Sequence, residues 1–184
     1  MASSTDDNVA KLRVELEGIQ PLIWRRVAVP TSMKLNQLHH VVQAAMGWLD
    51  RHLWMLRAGD RSYGVFIPGE DDWNERIDDA ETTTLATILS GGLKEFGYLY
   101  DFGDSWQHRI IVENVKPAEQ QTPYPEFLGG ERRCPPEDCG GIPGYYDFLD
   151  KIATKRGKNA KQHSTGMVDL TIPMTSMNSG SSST

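Results

Sequence analysis

The sequence contains little cysteine and no long apolar run, and these two shortages limit the classes of protein that it can encode. Two cysteines in 184 residues are too few for the disulfide framework of a small secreted domain, so we expect free thiols, metal ligands or a transient redox pair. No apolar run approaches the ~18 residues that cross a bilayer. The start, MASSTDDNVAKLRV, lacks the apolar core of a secretory signal. We therefore expect a cytoplasmic protein without a membrane partner.

Basic residues are also scarce over most of the chain. Residues 1–150 contain 14 lysines and arginines against 24 acidic residues, and residues 151–184 contain 5 against 1, which gives the net charge of −6. Proteins that bind DNA gain much of their affinity by neutralising phosphates. An acidic body without a basic stripe therefore argues against direct DNA binding.

Short alternating runs and one periodic stretch indicate the fold class. KLRVELE and LIWRRVAV alternate apolar with polar residues, which predicts a β-hairpin. The stretch MKLNQLHHVVQAAMGWL predicts a long helix, because apolar residues recur at helical spacing: Leu35, Leu38, Val42, Ala45 and Leu49. Extended runs over residues 51–67 and 94–117 bring the strands to a majority. We predict an α+β fold with a mainly antiparallel sheet, covered on one face by the long helix.

The stretch GGERRCPPEDCGGIPGYYDFLD, residues 129–150, is rich in proline, glycine and cysteine. Pro135 and Pro136 each fix φ and remove a backbone donor. These features predict a rigid loop that lies as a lid across the sheet. A short helix after the loop would place Tyr145, Phe148 and Leu149 on one apolar face, and we expect these three side chains to insert into the core.

Three separated motifs resemble one protein family. They are LHHVVQAAMGW followed by HLW, then YLYDFGDSWQHRI, then GGERRCPPEDCGG followed by GYYDFL. In this order they resemble the plasmid pRiA4b ORF-3-like family, whose members occur in bacteria and archaea and sometimes travel inside transposons. The resemblance covers residues 11–152, which we interpret as a single domain after a flexible N-terminus at residues 1–10. It implies an α+β domain without an established activity.

The end of the chain, residues 153–184, departs from the family. Members usually finish with an acidic stretch and a sequence like W-x-G-G-x-F-D-P, whereas this chain has KRGKNAKQHSTGMVDLTIPMTSMNSGSSST. Codons for Met167 to Gly180 can be chosen so that a shifted frame reads GGFDHPYDFHEF, which resembles the usual ending. We interpret residues 153–184 as a disordered, frameshifted tail. Codon degeneracy leaves a native tail as the alternative.

Four polar residues form a candidate cluster: His39, Asp101, Asp104 and His108. His39 borders the apolar stripe of the predicted helix, and the other three surround the turn DFGDS. Two carboxylates and an imidazole could hold a hard cation or act as acid and base. The alternative is structural, because aspartate and glycine are typical turn residues.

Two further features are candidates for binding. Cys134 and Cys139 have a C-x4-C spacing that could supply two zinc ligands, with His52 as a third. The alternative is a loop that proline and glycine make rigid without a metal. Trp73, within EDDWNER, has acidic surroundings that indicate an exposed aromatic on a loop and a handle for interaction.

These observations favour a non-enzymatic interaction module for a protein or a small ligand, since no complete catalytic set is recognisable. The first alternative is a metal-assisted hydrolase that uses some of the histidine, aspartate and cysteine residues named above. The second alternative is a DNA-associated accessory protein of mobile elements, which the family's occurrence in transposons implies.

Overall fold

The fold combines strands and helices, as the predicted α+β class requires. The computed structural model describes residues 8–64 and 77–162, with side chains as far as residue 155. The elements are β1 (Asn8–Leu16), β2 (Ile23–Pro30), α1 (Leu35–Met46), β3 (Trp54–Ala58), β4 (Arg61–Gly64), β5 (Ile77–Asp79), α2 (Leu85–Leu89), β6 (Glu95–Tyr100), β7 (Trp106–Pro117), β8 (Glu126–Glu131) and α3 (Gly141–Gln162). The predicted α+β class is confirmed.

The strands form one eight-stranded sheet in the order β5-β4-β3-β6-β7-β1-β2-β8. Neighbouring strands are antiparallel, except that β4 and β5 are parallel. The predicted hairpin is confirmed as β1 and β2, with Leu12 opposite Val27. In this sheet β8 forms one edge.

Alternation along the strands supplies the core. In β1, Leu12 and Val14 are fully buried, whereas Lys11 and Arg13 beside them are half-buried. Successive side chains of a strand point to opposite faces of the sheet, so the alternating sequence buries the apolar set. The buried aromatic residues of β6 and β7 are Phe96, Tyr98, Tyr100 and Trp106.

Helix α1 ends earlier than its apolar spacing predicts. Gly47 follows Met46 with a φ of 86° and donates its N–H to the carbonyl of Gln43, which closes the last turn. Glycine adopts this left-handed conformation without a Cβ clash. Leu49 therefore lies beyond the helix and is 61% exposed, so its prediction as part of the apolar stripe is wrong.

The stretch from residue 129 to 150 divides into three parts: the end of β8, a loop over residues 132–140, and the start of α3. Tyr145 is buried in the core as predicted, at 8% exposure. Phe148 and Leu149 are exposed at 40% and 39%, so their predicted insertion is wrong. The neighbouring Tyr146 makes a polar contact, since its hydroxyl bonds the backbone of Gln20.

The division of the chain into two units falls between Phe148 and Leu149, within helix α3. Residues 153–162 belong to this helix, and the expectation for residues 163–184 lies outside the described residues. The same is true of Trp73. Among the described residues, no helix is both long and apolar enough to cross a membrane.

Arg25 on β2 connects four parts of the fold through one buried guanidinium. It is 9% exposed and donates to backbone carbonyls of β2, α1, the end of β8 and the loop that follows, and to one thiol. The acceptors are Trp24 O at 2.8 Å, Ala45 O at 2.8 Å, Glu131 O at 2.9 Å, Arg132 O at 2.8 Å and Cys134 Sγ at 3.3 Å. Because an arginine offers five donors in a rigid fork, one side chain satisfies all of these groups.

Replacing Arg25 with methionine should destabilise the protein strongly. The substitution keeps an apolar stem but removes the hydrogen bonds to four part-buried carbonyls, which costs about 3 kcal/mol in the free energy of unfolding. Arg26→Met is the matched control, since Arg26 on the same strand pairs with Glu113 at an exposed position. Urea unfolding of both variants measures the difference. An equal or smaller loss for Arg25→Met would contradict the connecting role.

Candidate functional site

Three chain segments meet at one place: the loop after α1, the turn after β6 and the proline-rich loop 132–140. The indole Nε1–H of Trp48 donates to the carbonyl of Pro135 at 3.0 Å. The backbone N–H of Gly140 donates to Asp104 Oδ2 at 3.1 Å. These segments contain the three motifs HLW, YDFGDSW and CPPEDCGG. Residues far apart in sequence are thus hydrogen-bonded into one surface.

One imidazole and three carboxylates form the centre of this surface, which we call the His52 site: His52, Asp101, Glu137 and Asp138. His52 Nε2 lies 3.1 Å from Asp138 Oδ1, 3.6 Å from Asp101 Oδ2 and 3.8 Å from Glu137 Oε2. The Asp101 side chain is 9% exposed and that of Asp138 is 65% exposed. The site therefore opens to solvent on the side of Asp138.

His52 Nε2 is enclosed, yet it makes no hydrogen bond within the described residues. The contact with Asp138 Oδ1, at 3.1 Å, does not have the geometry of a hydrogen bond. Buried polar atoms are usually paired. This ring nitrogen is consequently an available ligand atom that faces carboxylate oxygens.

Asp101 is held by the turn that its own sequence predicts. Its φ is 55°, and its Oδ1 accepts the backbone N–H groups of Gly103 at 3.0 Å and Asp104 at 3.2 Å. Aspartate tolerates this left-handed conformation because its short side chain bonds the local backbone. The turn interpretation therefore holds for Oδ1, while Oδ2 is directed toward His52.

Glu137 is anchored on the other side of the site. Its Oε1 accepts the backbone N–H of Leu49 at 2.7 Å and the hydroxyl of Tyr100 at 3.1 Å. Burial raises the pKa of Tyr100 to about 12, so the phenol stays protonated and donates. The Tyr100 hydroxyl in turn accepts the backbone N–H of Arg51. Glu137 thereby ties the proline-rich loop to the loop after α1.

His39 belongs to a second, separate network. It is 1% exposed and stacks on Trp54 at 4.2 Å between ring centroids. Its Nδ1 contacts the Tyr98 hydroxyl at 2.8 Å, and its Nε2 contacts Asp50 Oδ1 at 2.6 Å. Gln43 donates to the same hydroxyl and accepts the N–H of Asp50. Because a carboxylate only accepts, Nε2–H donates to Asp50, and Nδ1 of the neutral ring then accepts from the Tyr98 hydroxyl.

His108, the other histidine of the predicted cluster, lies apart from the carboxylates of the His52 site and from Asp50. It is 2% exposed and packs edge-on against Trp48, and its Nδ1 contacts the carbonyl of Tyr98 at 3.2 Å. Burial lowers the pKa of His108 to about 4. A neutral, enclosed imidazole of this kind is a core residue.

The two cysteines are separated from the histidines. Cys134 Sγ accepts from Arg25 and contacts Met46 Sδ at 3.3 Å. Burial raises the pKa of Cys134 to about 11, which keeps a thiol rather than a thiolate. Within the described residues, two groups have ligand atoms close enough to share an ion: His39, His40 and Asp50, and His52, Asp101 and Asp138. Neither group contains a cysteine.

The sequence patterns did not place the acidic residues of CPPEDC, Glu137 and Asp138, at a site. Glu137 and Asp138 occupy the site together with two residues that were predicted as candidates, His52 and Asp101. A signal was present, because a short loop fixed by two prolines holds adjacent acidic side chains at defined positions. The partner of that loop depends on tertiary contacts, which local sequence does not encode.

Comparisons with known proteins agree with the family that the three sequence motifs resemble. The sequence model described as plasmid pRiA4b ORF-3-like protein matches residues 8–171. The uncharacterized protein y4hQ of Sinorhizobium fredii is 41% identical over 146 residues, which cover 79% of this chain and 74% of that protein. The crystal structure of MM3350, a protein of unknown function from Methanosarcina mazei Go1, superposes with a TM-score of 0.74. It is 29% identical, and the match covers 89% of this chain and 92% of that one.

The buried His108 predicts that stability falls in mild acid. The unfolded imidazole takes up its proton near pH 6.5, whereas the folded one does so near pH 4. Unfolding therefore binds a proton between these values, and the free energy of unfolding should fall by about 2 kcal/mol from about pH 7.5 to about pH 5.

His108→Gln removes this titration and keeps a donor toward the carbonyl of Tyr98, so urea unfolding of this variant should show a much smaller change over the same pH range. Burial also lowers the pKa of His39, so a residual slope of the same sign should remain. Identical slopes in the two proteins would show that His108 is not the group that titrates.

Proposed function

We propose a function for this chain from the surface between helix α1 and the edge strand β8. The chain belongs to the plasmid pRiA4b ORF-3-like family. The chain is a non-enzymatic interaction module that binds an extended segment of a partner polypeptide. The observation that carries this proposal is an open apolar groove of 540 Å³ between the helix and the strand.

The lining of the groove favours apolar side chains. It is formed by one face of α1, by Val27 of β2 and by the start of β8: Val27, His40, Val41, Ala44, Ala45, Pro125, Glu126 and Phe127. Phe127 is 58% exposed although it is a large apolar residue. Exposed apolar surface next to a groove is typical of binding sites.

The strand beside the groove favours an extended partner. β8 pairs with β2 on one side only, because it ends the sheet. An edge strand presents unpaired N–H and C=O groups that an added strand can bind, while pockets beside it select the side chains. Main-chain pairing to β8 and apolar contacts to α1 would act on the same segment.

The rest of the fold supports this role as a rigid platform. We propose that α1 covers one face of the sheet, with its buried side chains reaching Tyr98 of β6. We also propose that loop 132–140 acts as a lid over the loop after α1, because Pro135 and Glu137 accept hydrogen bonds from Trp48 and Leu49. A preorganised surface loses little entropy when it binds.

A displayed library of random peptides tests the groove. We expect selection on the purified protein to enrich peptides with alternating apolar residues. Ala44 is exposed on α1 within the groove, so Ala44→Arg should fill the groove and weaken the selected peptides at least about tenfold, or about 1.4 kcal/mol.

Gln107→Arg is the control for the added charge, because Gln107 is exposed on β7 and two strands separate β7 from β8. The control should bind the selected peptides like the original protein. Selected peptides that bind Ala44→Arg equally well, or a selection without enrichment, would reject the groove as the binding surface.

A metal-assisted hydrolase is the second candidate function. The specific observation in its favour is that the three motif segments meet at His52, Asp101 and Asp138. An imidazole and two carboxylates are ligands that a catalytic metal uses, and such a metal activates water.

A further inference from the structure

We propose that the His52 site binds one divalent transition-metal ion, with Zn²⁺ as its best fit, through His52 Nε2, Asp101 Oδ2 and Asp138 Oδ1. The site lies outside the groove between α1 and β8, so the proposal does not rest on the peptide-binding function. Its ligand set also differs from a thiolate site, because both cysteines are absent from it.

The ring nitrogen of His52 is the first observation. It is enclosed and without a hydrogen bond in the described part of the chain, although three carboxylate oxygens lie within 3.8 Å. A histidine placed there for an ordinary ion pair would point its N–H at one oxygen. A ring nitrogen that lies within 3.8 Å of three carboxylate oxygens without a hydrogen bond to any of them is available to bind an ion.

The separations between the ligand atoms fit a coordination sphere. Two atoms bound to the same ion at ~2.1 Å lie about 3.0 to 3.6 Å apart when they subtend angles of about 90° to 120° at the ion. Nε2 is 3.1 Å from Asp138 Oδ1 and 3.6 Å from Asp101 Oδ2. Two of the three separations thus match one coordination sphere, all three atoms lie within 4.8 Å of one another, and the 65% exposure of Asp138 leaves an entry path.

The local charge also favours a cation. In the described part of the chain, the ion pairs of Asp101, Glu137 and Asp138 are all with His52. One imidazole cannot neutralise three carboxylates, and Asp101 is nine-tenths buried. Hydrogen-bond donors stabilise part of this charge, at Asp101 and Glu137, and a bound cation would stabilise the rest.

The surroundings hold the ligands as second-shell groups do in metal sites. Two backbone N–H groups bind Oδ1 of Asp101 and leave its Oδ2 for the ion. The hydroxyl of Tyr100 and the N–H of Leu49 bind Glu137, which keeps this carboxylate behind the ligands. The fixed positions reduce the reorganisation that metal binding requires.

The ligand types select the ion. Mg²⁺ and Ca²⁺ prefer sites made of oxygen atoms alone, whereas an imidazole with carboxylates suits Zn²⁺ and its neighbours. The other group, His39, His40 and Asp50, provides an internal comparison. Its central nitrogen, His39 Nε2, already bonds Asp50 at 2.6 Å, so that group is satisfied without an ion.

Calorimetric titration of the purified, EDTA-dialysed full chain with ZnCl₂ tests the proposal. We expect one ion per chain, and at least a thirtyfold loss of affinity in His52→Ala and in Asp138→Asn. Asp138→Asn changes an exposed side chain and should fold normally, which circular dichroism checks. Titration with Co²⁺ should give visible absorption bands typical of nitrogen and oxygen ligands, without a thiolate charge-transfer band.

Two controls should bind like the original protein: His40→Ala, from the other group, and Cys134→Ser with Cys139→Ser. The proposal is overturned if no Zn²⁺ binds, if Asp138→Asn binds normally, or if the cysteine variant loses the ion. Tighter binding of MgCl₂ or CaCl₂ than of ZnCl₂ would also overturn it. Peptide selection on Ala44→Arg is independent of all these outcomes.

Discussion

The buried guanidinium of Arg25 is the interaction on which the arrangement of the other parts depends. It satisfies carbonyls of the sheet, of the last turn of α1 and of loop 132–140. Backbone pairing joins β8 to β2 and Trp24 donates to Glu131, and Arg25 adds the polar contacts that reach α1 and loop 132–140. The strand at the sheet edge, the helix and the proline-rich loop therefore take their relative positions around one side chain.

The His52 site is a consequence of this arrangement. Loop 132–140 extends from the residues that Arg25 holds, Arg132 and Cys134, to Glu137 and Asp138 at the site. Two prolines limit the conformations of the intervening chain. The far end of the loop is attached at Asp104 through the N–H of Gly140. The loop is thus fixed at both ends, and its acidic residues face His52 without a regular element of their own.

Local sequence patterns predicted the α+β class, the first hairpin and the long helix, because strand alternation and helical spacing record which face is buried. The apolar spacing extended the predicted helix to Leu49, whereas Gly47, a typical helix-ending residue with positive φ in the structure, ends it two residues earlier. The sequence patterns also missed Arg25, whose acceptors are up to 109 residues away. For the site, His52 and Asp101 were candidates, but their pairing with Asp138 depends on a long-range loop contact.

Loop 132–140 is an ordered part of the site, held against its neighbours by specific hydrogen bonds. Amide hydrogen exchange measured by NMR tests this most directly, at the N–H groups of Leu49 and Gly140, which donate to Glu137 and Asp104. We expect both amides to exchange at least about a hundredfold more slowly than in an unstructured chain, because their hydrogen bonds must open before the amides exchange. Exchange of both at the unstructured rate would contradict an ordered loop.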